Sequence, residues 1–450
     1  MTTVREALDQ LVRDDPAALL PWRRLAAMDA AVLSGSWRLV DVVCVDPGPA
    51  EVSHHVALVV DPLGGEWLVP VVSDGEGVRR ADVGDGASEA LLASLHGGRT
   101  DDGRLELQRL AGEPVHGERA LDVDQTNESV VVGERAVVKW YARAGDEHPA
   151  PARVTALAEG GFTAMPRPWG FAWWAVDGRR VLVAAVADLL VDASDGWTWC
   201  VEECRSWASH TVDDNDGWPS MRRIGQVVAD LHVTLAAGRD VRASSQDVET
   251  WRDRSLRDLE RAVELVDGDE GARLAARAPA LRTVLEGIGE VTSPRVVPVH
   301  GDLHVGQVLR HRTADGWDYA LTDFDGNPVL AAEERTAAQP AARDVAGMLQ
   351  AIDHVGRVVV HRTEGVDAGR VSQWVSRAQD AFLQAYRLGL AQRDAEDLLE
   401  EALLLPFAVE QECRELLYAV THLPHWRYVP DAALADLVPL SAEARTHPEE

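Results

Sequence analysis

Four oxygen-bearing side chains, Asp302, Gln307, Asp323 and Asp325, stand in two short segments, His300-Gly301-Asp302-Leu303-His304-Val305-Gly306-Gln307 and Asp323-Phe324-Asp325-Gly326. The residues between them read as strand, turn and strand, and a hairpin of that kind brings Asp302, Gln307 and Asp323 to one end. Transfer of a phosphoryl group to a hydroxyl needs such parts. A carboxylate must orient the attacking hydroxyl and take its proton, while oxygen ligands hold the Mg²⁺ ions that bridge the phosphates. Asp302 is the candidate base. Gln307 offers an amide oxygen to Mg²⁺, and Asp323 supplies the hard anionic oxygen that this ion prefers.

A second signal is a count. Lys139 is the single lysine in 450 residues, so all the other basic side chains are arginine. Arginine replaces lysine easily at a solvated position but not where a compact ammonium must fit, which makes the surviving lysine a candidate for a phosphate contact. The wider balance is 74 acidic against 44 basic residues, a net charge of −30. A surface that negative repels phosphate backbones and anionic lipid, so nucleic-acid and membrane partners are not expected. No run of about 18 apolar residues exists, and the charged, amphipathic N-terminus does not read as a signal peptide. Four scattered cysteines, Cys44, Cys200, Cys204 and Cys413, argue for a reduced, cytoplasmic protein and against a disulfide framework or a metal knuckle.

The elements that must position these residues follow from periodicity. The first ~30 residues read as helix, followed by strands at 36–45, 52–61 and 66–73 and a Gly- and Asp-rich connection to about 103. Further strands fall at 105–110, 129–132, 136–141 (with Lys139) and 181–186, with a helix at 152–159. From about residue 197 the pattern turns helical, at 224–235, 251–266, 272–287, 371–388 and 395–423, interrupted by the island 296–325 that holds the two chemical segments. The fold class is therefore α+β. Trp169, Trp173 and Trp174 are expected in the core, as are Cys200 and Cys204 rather than at a metal.

The combined pattern His-Gly-Asp-Leu-His-x-Gly-Gln and Asp-Phe-Asp-Gly resembles the catalytic and metal loops of aminoglycoside-phosphotransferase-like kinases, a branch of the protein-kinase-like fold. Within that branch the chain is similar to the actinobacterial maltokinases and glucosamine kinases, and the likeness runs nearly its whole length. The resemblance implies a bilobal molecule with a cap subdomain at 1–103, a nucleotide-binding lobe and hinge at 104–190, and a helical lobe at 191–450. It gives Lys139 the α- and β-phosphates of ATP, beneath a polar loop at 124–129 in which Asn127 and Ser129 are phosphate donors. It places the adenine at backbone groups near Asp188 and Leu190, and the ribose at Asp195. His300 is expected to bond the loop backbone, and His304 either to contact substrate or to hold the loop. Asp344 is expected to be buried behind the catalytic loop, with Arg343 and Asp325 as further supports. One feature departs from the family: the turn at 151–153 carries no glutamate to pair Lys139, which leaves Glu147 or Glu159.

The acceptor is read from the last long helix. Gln411, Glu415, Tyr418 and His422 fall at i, i+4, i+7 and i+11, so they share one helical face. Amide, carboxylate, phenol and imidazole suit sugar hydroxyls, and Trp426 or Tyr428 suits a pyranose face. The stretch resembles the part of glucosamine kinases that differs from maltokinases, and an ammonium sugar would be drawn to Glu410, Glu415 and Asp302. The expected reaction is phosphorylation of D-glucosamine to glucosamine 6-phosphate with ATP and Mg²⁺. Formation of maltose 1-phosphate is the alternative within the family. A metal-dependent phosphoesterase is the alternative outside it, because Gly-Asp-x-His also occurs in dimetal phosphatases. The favoured oligomeric state is a monomer.

Overall fold

Thr3 starts the first helix, α1 (Val4–Asp14), through a capping box in which its hydroxyl accepts from the Glu6 N–H while Glu6 accepts from the Thr3 N–H. The computed structural model describes residues 3–20, 30–46, 52–97, 103–121, 128–145, 148–209, 218–314 and 316–440. The chain forms two compact units, Met1–Pro151 with Pro166–Leu190, and Ala152–Met165 with Val191–Glu450.

In the first unit, alternating apolar residues make an antiparallel sheet in the order β1-β2-β3-β4. Its strands are β1 (Arg38–Asp46), β2 (Ser53–Val60), β3 (Glu66–Asp74) and β4 (Gly77–Arg80). Helix α2 (Ala87–Gly97) leads to a second, six-stranded sheet. It contains β5 (Leu105–Arg109), β6 (Glu118–Ala120), β7 (Glu128–Val132), β8 (Ala136–Trp140), β9 (Pro168–Val176) and β10 (Arg179–Asp188), in the order β5-β9-β10-β8-β7-β6. One apolar core joins the two sheets and α2, running from Val43 and Leu58 through Leu91 to Trp169 and Trp174. Glu118 on β6 ties the same elements, accepting from the N–H groups of Gly84, Gly86, Ser88 and Glu89 at 2.7–3.2 Å. It thus caps α2, whose N-terminal amides would otherwise be orphaned. The short strands β4 and β6 are additions to the sequence pattern, which is too brief at either place to show a period.

In the second unit, helix α3 (Pro149–Glu159, all but its first three residues) is followed by α4 (Gly196–Ser209), α5 (Pro219–Ala236), α6 (Ser245–Leu265) and α7 (Gly268–Glu286). The hairpin β11 (Val308–Thr313) and β12 (Gly316–Leu321) comes next, with Val308 opposite Leu321 at its inner end. Then come α8 (Ala332–Thr336), α9 (Ala342–Arg362), α10 (Ala368–Ala391), α11 (Leu404–His422) and α12 (Tyr428–Leu437). The helical period suggests one helix over 395–423, but α11 begins only at Leu404, after two 3₁₀ turns. Pro406 explains this, because a residue without an N–H is tolerated only in a helix's first turn. The α+β class read from the sequence holds, with sheets in the N-terminal part and helices in the C-terminal part.

Helices α5 and α10 approach closely because glycine faces each contact. A Cβ on Gly225 would lie 2.3 Å from the Phe382 carbonyl oxygen, and one on Gly389 2.6 Å from the Ala229 Cβ. Gly225→Val is therefore expected to destabilise the protein by about 3 kcal/mol, read in urea unfolding as a lower midpoint with an unchanged slope.

Candidate active site

Buried Val299, Leu303 and Val305 pin the catalytic loop from below, which leaves Asp302 half-buried above them. Two glycines let helices close on this loop. A Cβ on Gly196, at the start of α4, would clash with the Val305 carbonyl, and one on Gly347 of α9 would lie 2.8 Å from the Leu303 oxygen.

Asp344, in the first turn of α9, takes the loop's amides. Its carboxylate accepts from the His300 N–H at 2.6 Å and the Gly301 N–H at 2.9 Å. His232 Nε2 donates to the same carboxylate at 3.1 Å, and His232 Nδ1 lies 2.8 Å from the Tyr386 hydroxyl, which donates to it. Burial alone would raise the Asp344 pKa, but these donors hold it below the ordinary carboxylate value. His300 is fully buried and its Nε2 donates to the Thr322 carbonyl at 2.8 Å. Burial keeps this imidazole neutral by lowering its pKa.

Gln307 and Asp323 flank the inner end of the hairpin. The Gln307 amide nitrogen lies 3.4 Å from Asp323 Oδ2 and 3.4 Å from His304 Nε2. His304 Nδ1 accepts from the Gly306 N–H at 3.0 Å, so in the neutral ring its proton sits on Nε2. Burial lowers the His304 pKa to about 4, which keeps the ring neutral. The opposite amide orientation of Gln307 satisfies that N–H and sets an amide oxygen beside the Asp323 carboxylate. Such a pair fits a hard divalent cation whose remaining ligands come from phosphates and water. Among the described residues no group of three or more His, Cys, Asp and Glu side chains is arranged to hold a metal. Asp323 has φ +62°, a left-handed conformation uncommon outside glycine, though aspartate enters it more readily than most side chains.

Asp302 faces α11. Burial pushes its pKa up to about 7, Asp323 adds to the rise, and Arg414 opposes it while Glu415 and Asp344 reinforce it. Arg414 donates to the Gln411 side-chain oxygen Oε1 at 2.7 Å, and Gln411 Nε2 donates to Glu415 at 3.0 Å. Gln411, Arg414 and Glu415 thus form one hydrogen-bonded strip on the side of α11 that acts on Asp302. Trp426 stands 6.0 Å from Trp197 in an edge-on arrangement, and a Cβ on Gly306 would reach the Trp197 indole nitrogen at 2.9 Å. These rings therefore continue from the catalytic loop to the chain beyond α11.

Several other side chains expected at a ligand already have partners within the protein. Glu410 is fully buried, and its two oxygens accept from Arg254 at 3.0 Å and Arg343 at 2.9 Å. Those guanidiniums hold it well below the usual carboxylate range despite burial, so it braces the helix instead of meeting a ligand. Arg343 also donates to Gln339 at 3.2 Å, a structural place in the same network. Tyr418 is 43% exposed and packs 4.8 Å from His422, so the stripe read from periodicity ends at solvent. Tyr428 stacks on His361 at 4.2 Å. Asp195 caps α4, accepting from the Thr198 N–H at 3.1 Å and the Thr198 hydroxyl at 2.6 Å.

In the first unit, Lys139 sits on β8 directly across from Ser129 of β7, on the half-buried side of that strand. Its Nζ lies 5.3 Å from the Tyr141 ring. The Asp188 carboxylate accepts from Arg167 twice at 3.1 Å and from the Trp169 indole at 2.6 Å. The Asp188 N–H donates to the Arg167 carbonyl, and Leu190 closes the unit. Asn127, with the loop before it, and Glu147 lie outside the described residues, while Glu159 is exposed at the end of α3. Sequence reasoning missed His232, Arg254 and Trp197. Each is joined to its partner only by contacts distant in the chain, and no spacing rule could have found them.

No protein-family model matches the chain. Related proteins do. The glucosamine kinase of Streptacidiphilus jiangxiensis is 46% identical over 435 residues, 93% of this chain and 98% of the relative. That of Mycolicibacterium smegmatis (strain ATCC 700084 / mc(2)155) is 42% identical over 380 residues, 82% and 92%. Among solved structures, a glucosamine kinase in complex with glucosamine, ADP and inorganic phosphate superposes with a TM-score of 0.79 at 43% identity, covering 98% of this chain and all of the other. A second crystal form of glucosamine kinase gives 0.81 at 42% identity, over 96% and 99%. Fold and site together define a kinase. The chain belongs to the glucosamine kinase family.

Asp344→Ala would leave three buried donors unmet. It is expected to cost about 3 kcal/mol of stability and to weaken further any residual turnover. Because the native Asp344 pKa is depressed, its contribution is complete above the unfolded value near 4 and fades as pH falls through the lower folded value. Chemical unfolding of wild type and variant at several acidic pH values should show the gap narrowing as pH falls.

Proposed function

We propose that the protein transfers the γ-phosphoryl group of ATP to the 6-hydroxyl of D-glucosamine, giving glucosamine 6-phosphate and ADP. The observation that carries this reading is the full-length likeness to a glucosamine kinase bound to glucosamine, ADP and phosphate, joined to an Asp302 on which the Glu415 charge acts. Asp302 orients the 6-hydroxyl and accepts its proton as the new P–O bond forms. A carboxylate held near neutrality is matched to that task. Gln307 and Asp323 would hold Mg²⁺, which would neutralise charge on the phosphates. Lys139 and Ser129, with Asn127, contact the phosphate chain. Backbone groups at Asp188 and Leu190 meet the adenine, and Asp195 meets the ribose at the cost of its cap on Thr198.

Glu415 and Gln411 bind the sugar's ammonium and hydroxyls, and Trp426 covers a ring face. His304 orients Gln307, and His300 with Asp344 and Asp325 keeps the loops in place. Neutral maltose would gain little from the Glu415 and Asp302 carboxylates, which favours glucosamine within the family. The phosphoesterase alternative needs several further metal ligands near Asp302, and the described residues hold no such group. We take the protein to act as a monomer in the cytoplasm, in keeping with buried thiols at Cys200, Cys204 and Cys413 and, among the described residues, no helix long and apolar enough to cross a membrane.

Side-by-side assay of glucosamine, N-acetylglucosamine, glucose and maltose should give turnover with glucosamine well above the rest. Faster turnover of maltose, or indifference to N-acetylation, would overturn the choice of sugar. Asp302→Asn should lower kcat about 10³-fold while MgATP binding by calorimetry stays near wild type. Since the base acts deprotonated and its pKa is raised, kcat/KM should fall tenfold per pH unit below about 7. An acid limb centred near pH 4 would remove Asp302 from that role.

A further inference from the structure

The turn of α3 that lacks the expected glutamate carries Arg153, and this side chain is only 4% exposed. Its Nη1 donates to the His300 carbonyl at 3.1 Å and to the Phe324 carbonyl at 3.0 Å, and its Nη2 donates to the Arg335 carbonyl. One guanidinium therefore bonds the catalytic loop two residues before Asp302, the metal loop one residue after Asp323, and helix α8. We propose that Arg153 is the positioning residue that holds these two loops in register for phosphoryl transfer, an inference that rests on the roles given above to Asp302 and Asp323.

Both loops are shaped to admit it. Gly301 has φ +85° and Gly326 φ +72°. A Cβ on Gly326 would lie 3.2 Å from Arg153 Nη1, and one on Gly301 3.6 Å from Nη2. The glycines of His-Gly-Asp and Asp-Phe-Asp-Gly thus serve two needs, the left-handed turn and the approach of the guanidinium. Asp323 sits in the left-handed region without being glycine, a conformation that persists only when its neighbours over-determine it. The bond to Phe324, the next residue, is one such restraint.

A lysine could not do the same work. Its ammonium is a point donor, whereas the planar fork spreads N–H groups over three carbonyls that face different ways. The arrangement is also costly. Burial lowers the Arg153 pKa to about 10, with Asp344 and Asp325 opposing the fall. A buried cation held by carbonyls adds little stability over a packed apolar residue, so its presence at the junction of the two reactive loops points to geometry as its purpose.

The test uses the full chain with Arg153→Lys and Arg153→Met. Initial rates are measured against glucosamine and Mg²⁺, and amide hydrogen exchange is followed in residues 300–303 and 322–326. Arg153→Lys should fold, lower kcat about tenfold and raise the Mg²⁺ midpoint, with KM for glucosamine little changed; Arg153→Met should lower kcat about 100-fold. Exchange should quicken in both loops of both variants. Loss of melting temperature with unchanged kcat per folded molecule, Mg²⁺ midpoint and loop exchange would make Arg153 merely structural and overturn the proposal. If Arg153→Met fails to fold, Arg153→Lys alone decides. A wild-type enzyme inactive on glucosamine would count against the proposed function, while loop exchange would still judge Arg153.

Discussion

A loop that turns through a left-handed glycine cannot pair its own backbone groups, and groups buried without partners are costly. The segment from Val299 to Gly301 is such a loop, and its needs organise the second unit. Asp344 accepts its N–H groups from one side, and Arg153 donates to its carbonyl from the other. Opposite buried charges thus grip one peptide stretch, and each demands further support. Asp344 is completed by His232 of α5, which Tyr386 of α10 completes in turn. The close glycine packing of α5 on α10 keeps that relay in place. Helix packing distant from the reactive carboxylate is in this way tied to the orientation of Asp302.

The same economy explains why an acidic chain keeps arginine in its interior. Glu410 is buried between Arg254 and Arg343, with Arg414 at 3.7 Å. Arg414 also reaches Gln411 and pulls against the rise in the Asp302 pKa. One cation therefore serves a structural carboxylate and a chemical one. Such networks are poor sources of net stability because desolvation offsets attraction. What they provide is a fixed geometry for α11, the helix whose Arg414 and Glu415 act on the candidate base. Part of the field at Asp302 follows from that placement: burial and the Asp323 carboxylate raise its pKa, Glu415 of α11 and Asp344 add to the rise, and the Arg414 guanidinium opposes it.

Much of the site was legible because its parts are local. Gln307 and Asp323 lie just beyond the paired ends of one hairpin, where Val308 faces Leu321, and that pairing helps bring them within 3.4 Å. Lys139 and Ser129 are cross-strand neighbours for the same reason. The helical face on α11 was legible only in part. Periodicity groups Gln411 with Glu415 and Tyr418, but it cannot say where the covering partners stop, and Tyr418 lies beyond them in solvent.

The sequence by itself determined the α+β class, the two reactive loops and the strand that carries the lone lysine, since turn residues, period and spacing act over a few residues. It also held the decisive likeness to one family of kinases. Only the tertiary structure decided what each charged side chain does. Glu410 and Glu415 are neighbours on one helix, yet the first is locked between Arg254 and Arg343 while the second acts on Asp302. Arg153 reads as a missing glutamate until its three carbonyl partners are seen. The reason is physical: a helix dictates which of its residues share a face, but whether that face meets a cation, a carbonyl or water depends on elements brought alongside it from far along the chain.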